Sequence, residues 1–259
     1  MQITAIKTPI VQPGDDLLKL MKNHLPNLPE RSVVVIVSKI LSYSQGRLIN
    51  FQGSLEEKHQ IIQQEADFYL PATSSQYGLI LTIKNGTLTV NAGVDESNAS
   101  GQLVLWPENL QQETNKIWNF LRSEHQLQQL GVIITDSRTW PMRWGVVGTC
   151  LAHCGFKQLN DHRGELDLFG REIHFVQVNV AEALSSMAVL EMGEVAEQTP
   201  LGIITNIREI EFQDREPSLQ ELAELQITKE DDMYGPLLTS MKWEQGGGGL
   251  KLTPTTLKC

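Results

Sequence analysis

The chain has little cysteine: Cys150, Cys154 and Cys259 are the only three in 259 residues. Such scarcity excludes a disulfide framework and fits a reducing compartment. Cys150, His153 and Cys154 lie close together, but no second Cys/His pair follows. They are read as buried structural thiols rather than a zinc site. No apolar stretch approaches the ~18 residues of a membrane span, and Met1 to Lys7 carries no basic segment followed by an apolar one. A cytoplasmic protein with no membrane partner is expected. Positive charge is also in deficit, with 21 Lys and Arg against 31 Asp and Glu and a formal net charge of −10. That balance argues against a general nucleic-acid or anionic-membrane surface, so any phosphate binding has to be local and metal-assisted. Internal repeats are lacking. What is present is enough apolar sequence, 41%, to bury one large core or two small ones.

The most informative stretch runs from Gly131 to Gly148. Val132-Ile133-Ile134-Thr135 reads as a buried strand, and Asp136 follows at its end, where α/β proteins place ligand chemistry. Ser137, Arg138 and Arg143 come within one loop's reach, adding a hydroxyl and two guanidiniums suited to metal-bound phosphate. A surface loop with an N-cap aspartate is the alternative.

Around this stretch the pattern is α/β. A helix with Leu17, Leu18, Met21 and Leu25 on one face precedes the strand Val33 to Val37, which runs into Ser38-Lys39 and a turn at Gln45-Gly46-Arg47. Lys39 at a strand end can hold a phosphate as a point charge. Ser54 and Glu57 form a capping box for a helix expected to reach about Leu70, in which His59 is structural. Gly78 to Asp95 reads as two strands joined by Asn85-Gly86, the pair suited to a type I′ turn, delivering Asp95, Ser97 and Asn98 at its end. Pro107 to Leu121 is an expected helix with Thr114, Ile117, Trp118 and Leu121 on one face. A strand is expected over 173–178 and a helix over 180–192, ended by Gly193. Glu194 then emerges where the helix dipole disfavours an anion, a position that a bound cation explains. Ser218 with Glu221 starts a short helix, and the run Gly246 to Gly249 is read as a flexible connector.

Three acids therefore stand at element ends, Asp95, Asp136 and Glu194, with Ser137 beside the second. Hard divalent cations, Mg2+ or Mn2+, take such oxygen ligands, and two of them bridged by phosphate would neutralise charge in phosphoryl transfer.

Several motifs occur in one order along residues 1 to 205: Ser38-Lys39 with Gly46-Arg47, Asn91-Ala92-Gly93-Val94-Asp95 with Ser97-Asn98, Thr135-Asp136-Ser137, Arg163-Gly164 with Asp167 to Glu172, and Met192-Gly193-Glu194. In these the chain closely resembles the γ-glutamyl ligases that act on the deazaflavin coenzyme F420-0. Phe212 to Trp243 is similar to a bacterial branch provisionally assigned to folate metabolism. The resemblance implies an α/β (α+β) fold with mixed sheets and two intertwined subdomains over 1–205, followed by a C-terminal extension, 206–259, with short helices and a flexible tail. It also implies a homodimer and a metal-dependent, GTP- or ATP-driven ligation of L-glutamate to a small acidic acceptor, F420-0-like or folate-like, through an acyl phosphate.

By motif match Asp95, Asp136, Ser137 and Glu194 would hold two divalent metals. Thr8, Pro9, Ile10, Val11, Ser38, Lys39, Asn98 and Met192, Gly193, Glu194, Val195, Ala196, Glu197, Gln198 and Thr199 would contact the nucleotide. Arg143 and Lys39 are the expected catalytic cations, Arg143 as a clamp on the transferring phosphate. Two departures stand out. Tyr43 occupies a position where the family usually carries a lysine, and Arg138-Thr139-Trp140-Pro141-Met142-Arg143 replaces Phe-Gly-Arg-Pro-Trp-Arg. The rival readings are a dimer that binds a nucleotide or metabolite without catalysis and a metal-dependent phosphohydrolase.

Overall fold

A computed structural model describes residues 1–75 and 77–251. The first third contains β1 (Gln2–Ile6), α1 (Leu17–His24), β2 (Ser32–Val37), α2 (Ser38–Ser44), β3 (Leu48–Asn50), α3 (Leu55–Glu65) and β4 (Phe68–Tyr69). The middle adds the hairpin β5 (Leu81–Lys84) and β6 (Thr87–Val90), then β7 (Gln102–Val104), α4 (Leu110–His125), β8 (Leu130–Thr139) and β9 (Val146–Cys154). The remainder holds β10 (Leu159–Asp161), β11 (Gln177–Asn179), α5 (Val180–Met192), β12 (Leu201–Thr205), α6 (Leu219–Glu224), α7 (Gly235–Ser240) and β13 (Glu244–Gln245).

The fold is mixed α/β with several sheets, as expected. Its main sheet has the order β1-β12-β2-β8-β9, in which β2 and β8 are parallel and every other pair is antiparallel. Alternation along β2 splits its side chains between two cores. Val34 and Ile36 pack with Met21, Ile117, Trp118 and Leu121 from α1 and α4, while Val33 and Val35 pack with Ala181, Leu184 and Ala188 from α5. Helices thus cover both faces. A second sheet, β13-β4-β5-β6, joins α3 in a separate core built on Ile62, Ile80, Leu103 and Leu105. Among the described residues no helix is long and apolar enough to cross a membrane.

Several local expectations change. Helix α3 stops at Glu65 rather than near Leu70, because Phe68–Tyr69 is drawn into β4 beside β5. Helix α4 begins at Leu110, not Pro107: its N-cap Asn109 is left-handed, at φ 51°, although the buried face Thr114, Ile117, Trp118 and Leu121 is as expected. The strand expected over 173–178 is reduced to Gln177–Asn179, paired with β10. Strand β8 does not end at Thr135. A bulge between Ile134 and Thr135 lets it continue along β9 to Thr139, so Asp136, Ser137 and Arg138 lie on a strand rather than in a loop.

The glycine run is not a free connector. Gly246, Gly247, Gly248 and Gly249 donate their N–H groups to the carbonyls of Asp67, Gln63, Ala66 and Gln64, at 2.9 to 3.0 Å, wrapping the C-terminal end of α3. A Cβ on Gly246 would stand 2.1 Å from the Ala66 oxygen, so only glycine passes. The next amide, Leu250, donates to Glu65, a fully buried carboxylate that also pairs with Arg47 and Lys84. The rest of the tail, 252–259 with Cys259, lies outside the described residues.

Candidate active site

The parallel pair creates the site. Val37 is in register with Thr135, so the chain just past the paired stretch of β2 and β8 sets Lys39 and Asp136 side by side, near where open α/β sheets bind ligands. A cavity of about 1090 Å3 opens there. It gathers Asp95, Asp136, Ser137 and Glu194 with Lys39, Asn98, Thr8 to Val11 and the segment Met192 to Thr199. Apolar lining comes from Leu81, Leu88 and Val90 of the β5–β6 hairpin and from Leu79 just before it.

Two expected residues stand elsewhere. Ser38 is buried in the first turn of α2 and does not line the cavity. Arg143 lies on the exposed turn between β8 and β9, also off the cavity lining, and its Nη1 donates to the Met142 carbonyl at 3.0 Å. The guanidinium that does line the cavity is Arg138.

Each acid is held by protein donors. Asp95 pairs with Lys39 and accepts from the Ser97 amide at 2.9 Å and hydroxyl at 2.7 Å. Burial disfavours its charge, but Lys39 and Ser97 outweigh that and bring its pKa below the ordinary value. Lys39 is fully engaged, donating also to the Ser97 carbonyl and hydroxyl at 2.9 and 3.0 Å. Asp136 accepts from its neighbour Ser137's amide at 2.8 Å and from the indole N–H of Trp106. Desolvation is the larger influence on Asp136 and, with nearby Asp95, pushes its pKa to about 6. The Ser137 hydroxyl donates to Glu194, with oxygen separations of 2.7 and 2.9 Å.

The segment after α5 closes the site: Asn98 Nδ2 donates to the Val195 carbonyl at 2.7 Å, and Thr8 N donates to Gln198 O at 3.0 Å. Tyr43 lines the cavity too and donates its hydroxyl to the Asn98 carbonyl at 3.3 Å.

As a metal site the donor set is all hard oxygen, which suits Mg2+ or Mn2+. Asp136, desolvated and close to a second carboxylate, is the group most in need of positive charge. Among the described residues, however, no three acidic, histidine or cysteine side chains form a ready cage. Lys39 and Trp106 occupy carboxylate oxygens that a cation would share.

Trp106 carries no sequence signal; it is a lone aromatic after β7. Its place depends on Gly93, at φ 72°, where a Cβ would fall 2.0 Å from the indole nitrogen. The small residues before Asp95 thus admit a side chain close to the acids.

A family model described as F420-0:Gamma-glutamyl ligase matches residues 5–206. Among curated relatives, Coenzyme F420:L-glutamate ligase of Methanopyrus kandleri is 33% identical over 214 residues, covering 76% of this chain and 83% of the relative. The protein of that name from Haloarcula marismortui is 32% identical over 240 residues, with 85% and 91% covered. That from Methanocaldococcus jannaschii is 30% identical over 223 residues, with 79% and 87% covered.

Proposed function

The chain belongs to the F420-0:γ-glutamyl ligase family, and from that premise we propose that it joins L-glutamate to a carboxylate of a small acidic cofactor, of the F420-0 or folate type, at the expense of GTP or ATP. Amide-bond formation with glutamate follows from the family. The observation that carries the rest is the cavity's mixed lining, which joins four acids and a lysine to the apolar side chains of Leu79, Leu81, Leu88 and Val90. Its volume of about 1090 Å3 is just above the roughly 300–1,000 Å3 of ordinary ligand sites, which suits a nucleotide lying beside an aromatic acceptor.

In the proposed sequence an acceptor carboxylate oxygen attacks the terminal phosphorus. The bond to the bridging oxygen breaks, nucleoside diphosphate leaves and an acyl phosphate forms. The amine nitrogen of glutamate then attacks the acyl carbon, inorganic phosphate departs with the C–O bonding pair, and the nitrogen gives up its proton to solvent. All the reactants are anions, and at about 4 Å even a screened repulsion amounts to several kcal/mol. One or two divalent cations held by Asp95, Asp136, Ser137 and Glu194 would supply the neutralising charge. Lys39, exchanging Asp95 for phosphate, adds a point charge. Thr8, Pro9, Ile10, Val11, Asn98 and the segment 192–199 hold the nucleotide and exclude water from the acyl phosphate.

The active form is a homodimer. Met142 and Trp144 on the β8–β9 turn, and Leu168, Phe169 and Phe175 between β10 and β11, are each at least 88% exposed, large apolar side chains that a second subunit would cover.

The test is phosphate release with Mn2+, comparing GTP and ATP, with and without glutamate, over deazaflavin and pterin acceptors, alongside Asp136→Ala. Release that requires glutamate and an acceptor and vanishes in the variant is expected. Release indifferent to glutamate would mean a phosphohydrolase. Nucleotide binding with no release would mean a binding protein.

A further inference from the structure

Of the basic side chains among the described residues, two line the cavity, Lys39 and Arg138. Four acids line it as well: Asp95, Asp136, Glu194 and Glu197. Lys39 is committed to Asp95 and Ser97. Arg138 is held only by one long ion pair, to Glu182. Its nearest carboxylate, Glu182, is 3.7 Å from Nη2, beyond hydrogen-bond range, and already accepts from the Thr149 hydroxyl at 3.1 Å and the Cys150 amide at 3.3 Å. The Nε of Arg138 is buried without any partner. An orphaned donor of this kind is costly, and a small turn of the side chain toward an oxyanion in the cavity would satisfy it.

The guanidinium is also held in place. It lies 4.4 Å from the ring centroid of Trp140, another cavity residue, and its backbone pairs with Val147 on the bulged extension of β8, two positions beyond Asp136. A guanidinium carried over a ring face keeps its in-plane donors, which can grip a planar or tetrahedral oxyanion through two parallel hydrogen bonds.

We infer that Arg138 is the oxyanion-binding residue of this cavity, gripping a substrate carboxylate or phosphate, and that Trp140 is the platform that orients it. The inference rests on the ligase reading for its two sources of oxyanion, a carboxylate of L-glutamate or a phosphate of the nucleotide. Either is a ligand that the surrounding acids would otherwise repel. Arg138 supplies the charge and the fork, and it does so from a strand rather than from an exposed turn.

The experiment uses the full chain with Arg138→Gln and Arg138→Lys. Calorimetric binding of L-glutamate and of GTP or ATP is measured separately for each protein in Mn2+, without acceptor, so that no turnover is needed. The melting temperature of each variant is recorded alongside. Arg138→Gln is expected to lose about tenfold or more in affinity for one of the two ligands and to keep the other within about twofold, which names the oxyanion. Arg138→Lys, which keeps the charge but not the fork, is expected to lose several-fold for the same ligand at a native melting temperature. Trp140→Ala should weaken that ligand in parallel. Binding of both ligands within twofold of the unmodified protein in both Arg138 variants overturns the inference, as does an unmodified protein that binds neither. An unmodified protein that binds both yet forms no amide defeats the ligase reading and leaves the Arg138 result standing.

Discussion

The indole N–H of Trp106 is donated to the carboxylate of Asp136, from a ring that rests where only Gly93 leaves room. Trp106 is itself anchored, since Arg47 Nε donates to its carbonyl at 3.2 Å from within the buried Arg47–Glu65–Lys84 cluster. Trp106→Phe keeps the packing and removes the donor. Leaving a desolvated carboxylate short of one hydrogen bond costs on the order of 1–3 kcal/mol, so kcat/KM should fall roughly tenfold to a hundredfold. Calorimetric Mn2+ binding should weaken as the carboxylate loses its fixed orientation, and the melting temperature should fall by several degrees. Unaltered kinetics in Trp106→Phe would show that the contact is only packing.

The glycine strap predicts a stability defect away from the site. Gly247→Ala places a methyl 2.5 Å from the Gln64 carbonyl, a contact that backbone must yield to. The strap should lift from α3 and uncover the buried Glu65. A loss of about 1–3 kcal/mol in chemical denaturation is expected, together with faster proteolytic cleavage after the β13 strand. Alanine at Gly14, which has open space around it, has no such neighbour to displace and serves as the comparison, its own cost coming from φ 83° alone.

The proposed dimer should depend on the exposed aromatic residues between β10 and β11. Phe169→Ser combined with Phe175→Ser removes two rings that are 88% and 91% exposed, so the folded subunit loses nothing internal. Light scattering after gel filtration is expected to show a monomer with an unchanged circular dichroism spectrum. A dimer surviving both substitutions would place the interface elsewhere.

His153 predicts a pH dependence of stability. It is 2% exposed, set edge-on to Phe156 at 5.3 Å, and burial lowers its pKa from 6.5 to about 4 despite the opposing influence of Gln158 and Glu221. The folded chain keeps it neutral while the unfolded chain protonates it below about 6.5. Stability is therefore complete above that pH and is lost as the pH falls toward 4, by about 2 kcal/mol at pH 5. Urea denaturation at pH 7.5 and 5.0 should show this difference, and His153→Gln should reduce it by about that amount. A variant whose pH dependence matches the unmodified protein would assign the effect to other groups.

Much of this molecule was determined locally by its sequence. The β-branched run of β2, the Asn85–Gly86 turn with φ values of 50° and 71°, the Ser218–Glu221 capping box and the Gly193 end of α5 each rest on a few adjacent residues, and each stands where the pattern puts it. Asp95, Asp136, Ser137 and Glu194 could also be picked out, as polar residues that follow apolar runs, and they line one cavity. What tertiary structure alone decided was where those ends meet and which neighbours reach them. The parallel register of β2 with β8 brings Lys39 beside Asp136 across nearly a hundred residues of chain, and the bulge at Ile134/Thr135 extends β8 so that Arg138, not Arg143, faces the cavity. Pairing with β5 cut α3 short, and the carbonyls at its end captured a glycine run that looks like a free linker in sequence. Trp106 could not be anticipated at all. Periodicity records which face of one element is buried; convergence of side chains from separate elements depends on strand order and register, and those are set by contacts that no short window contains.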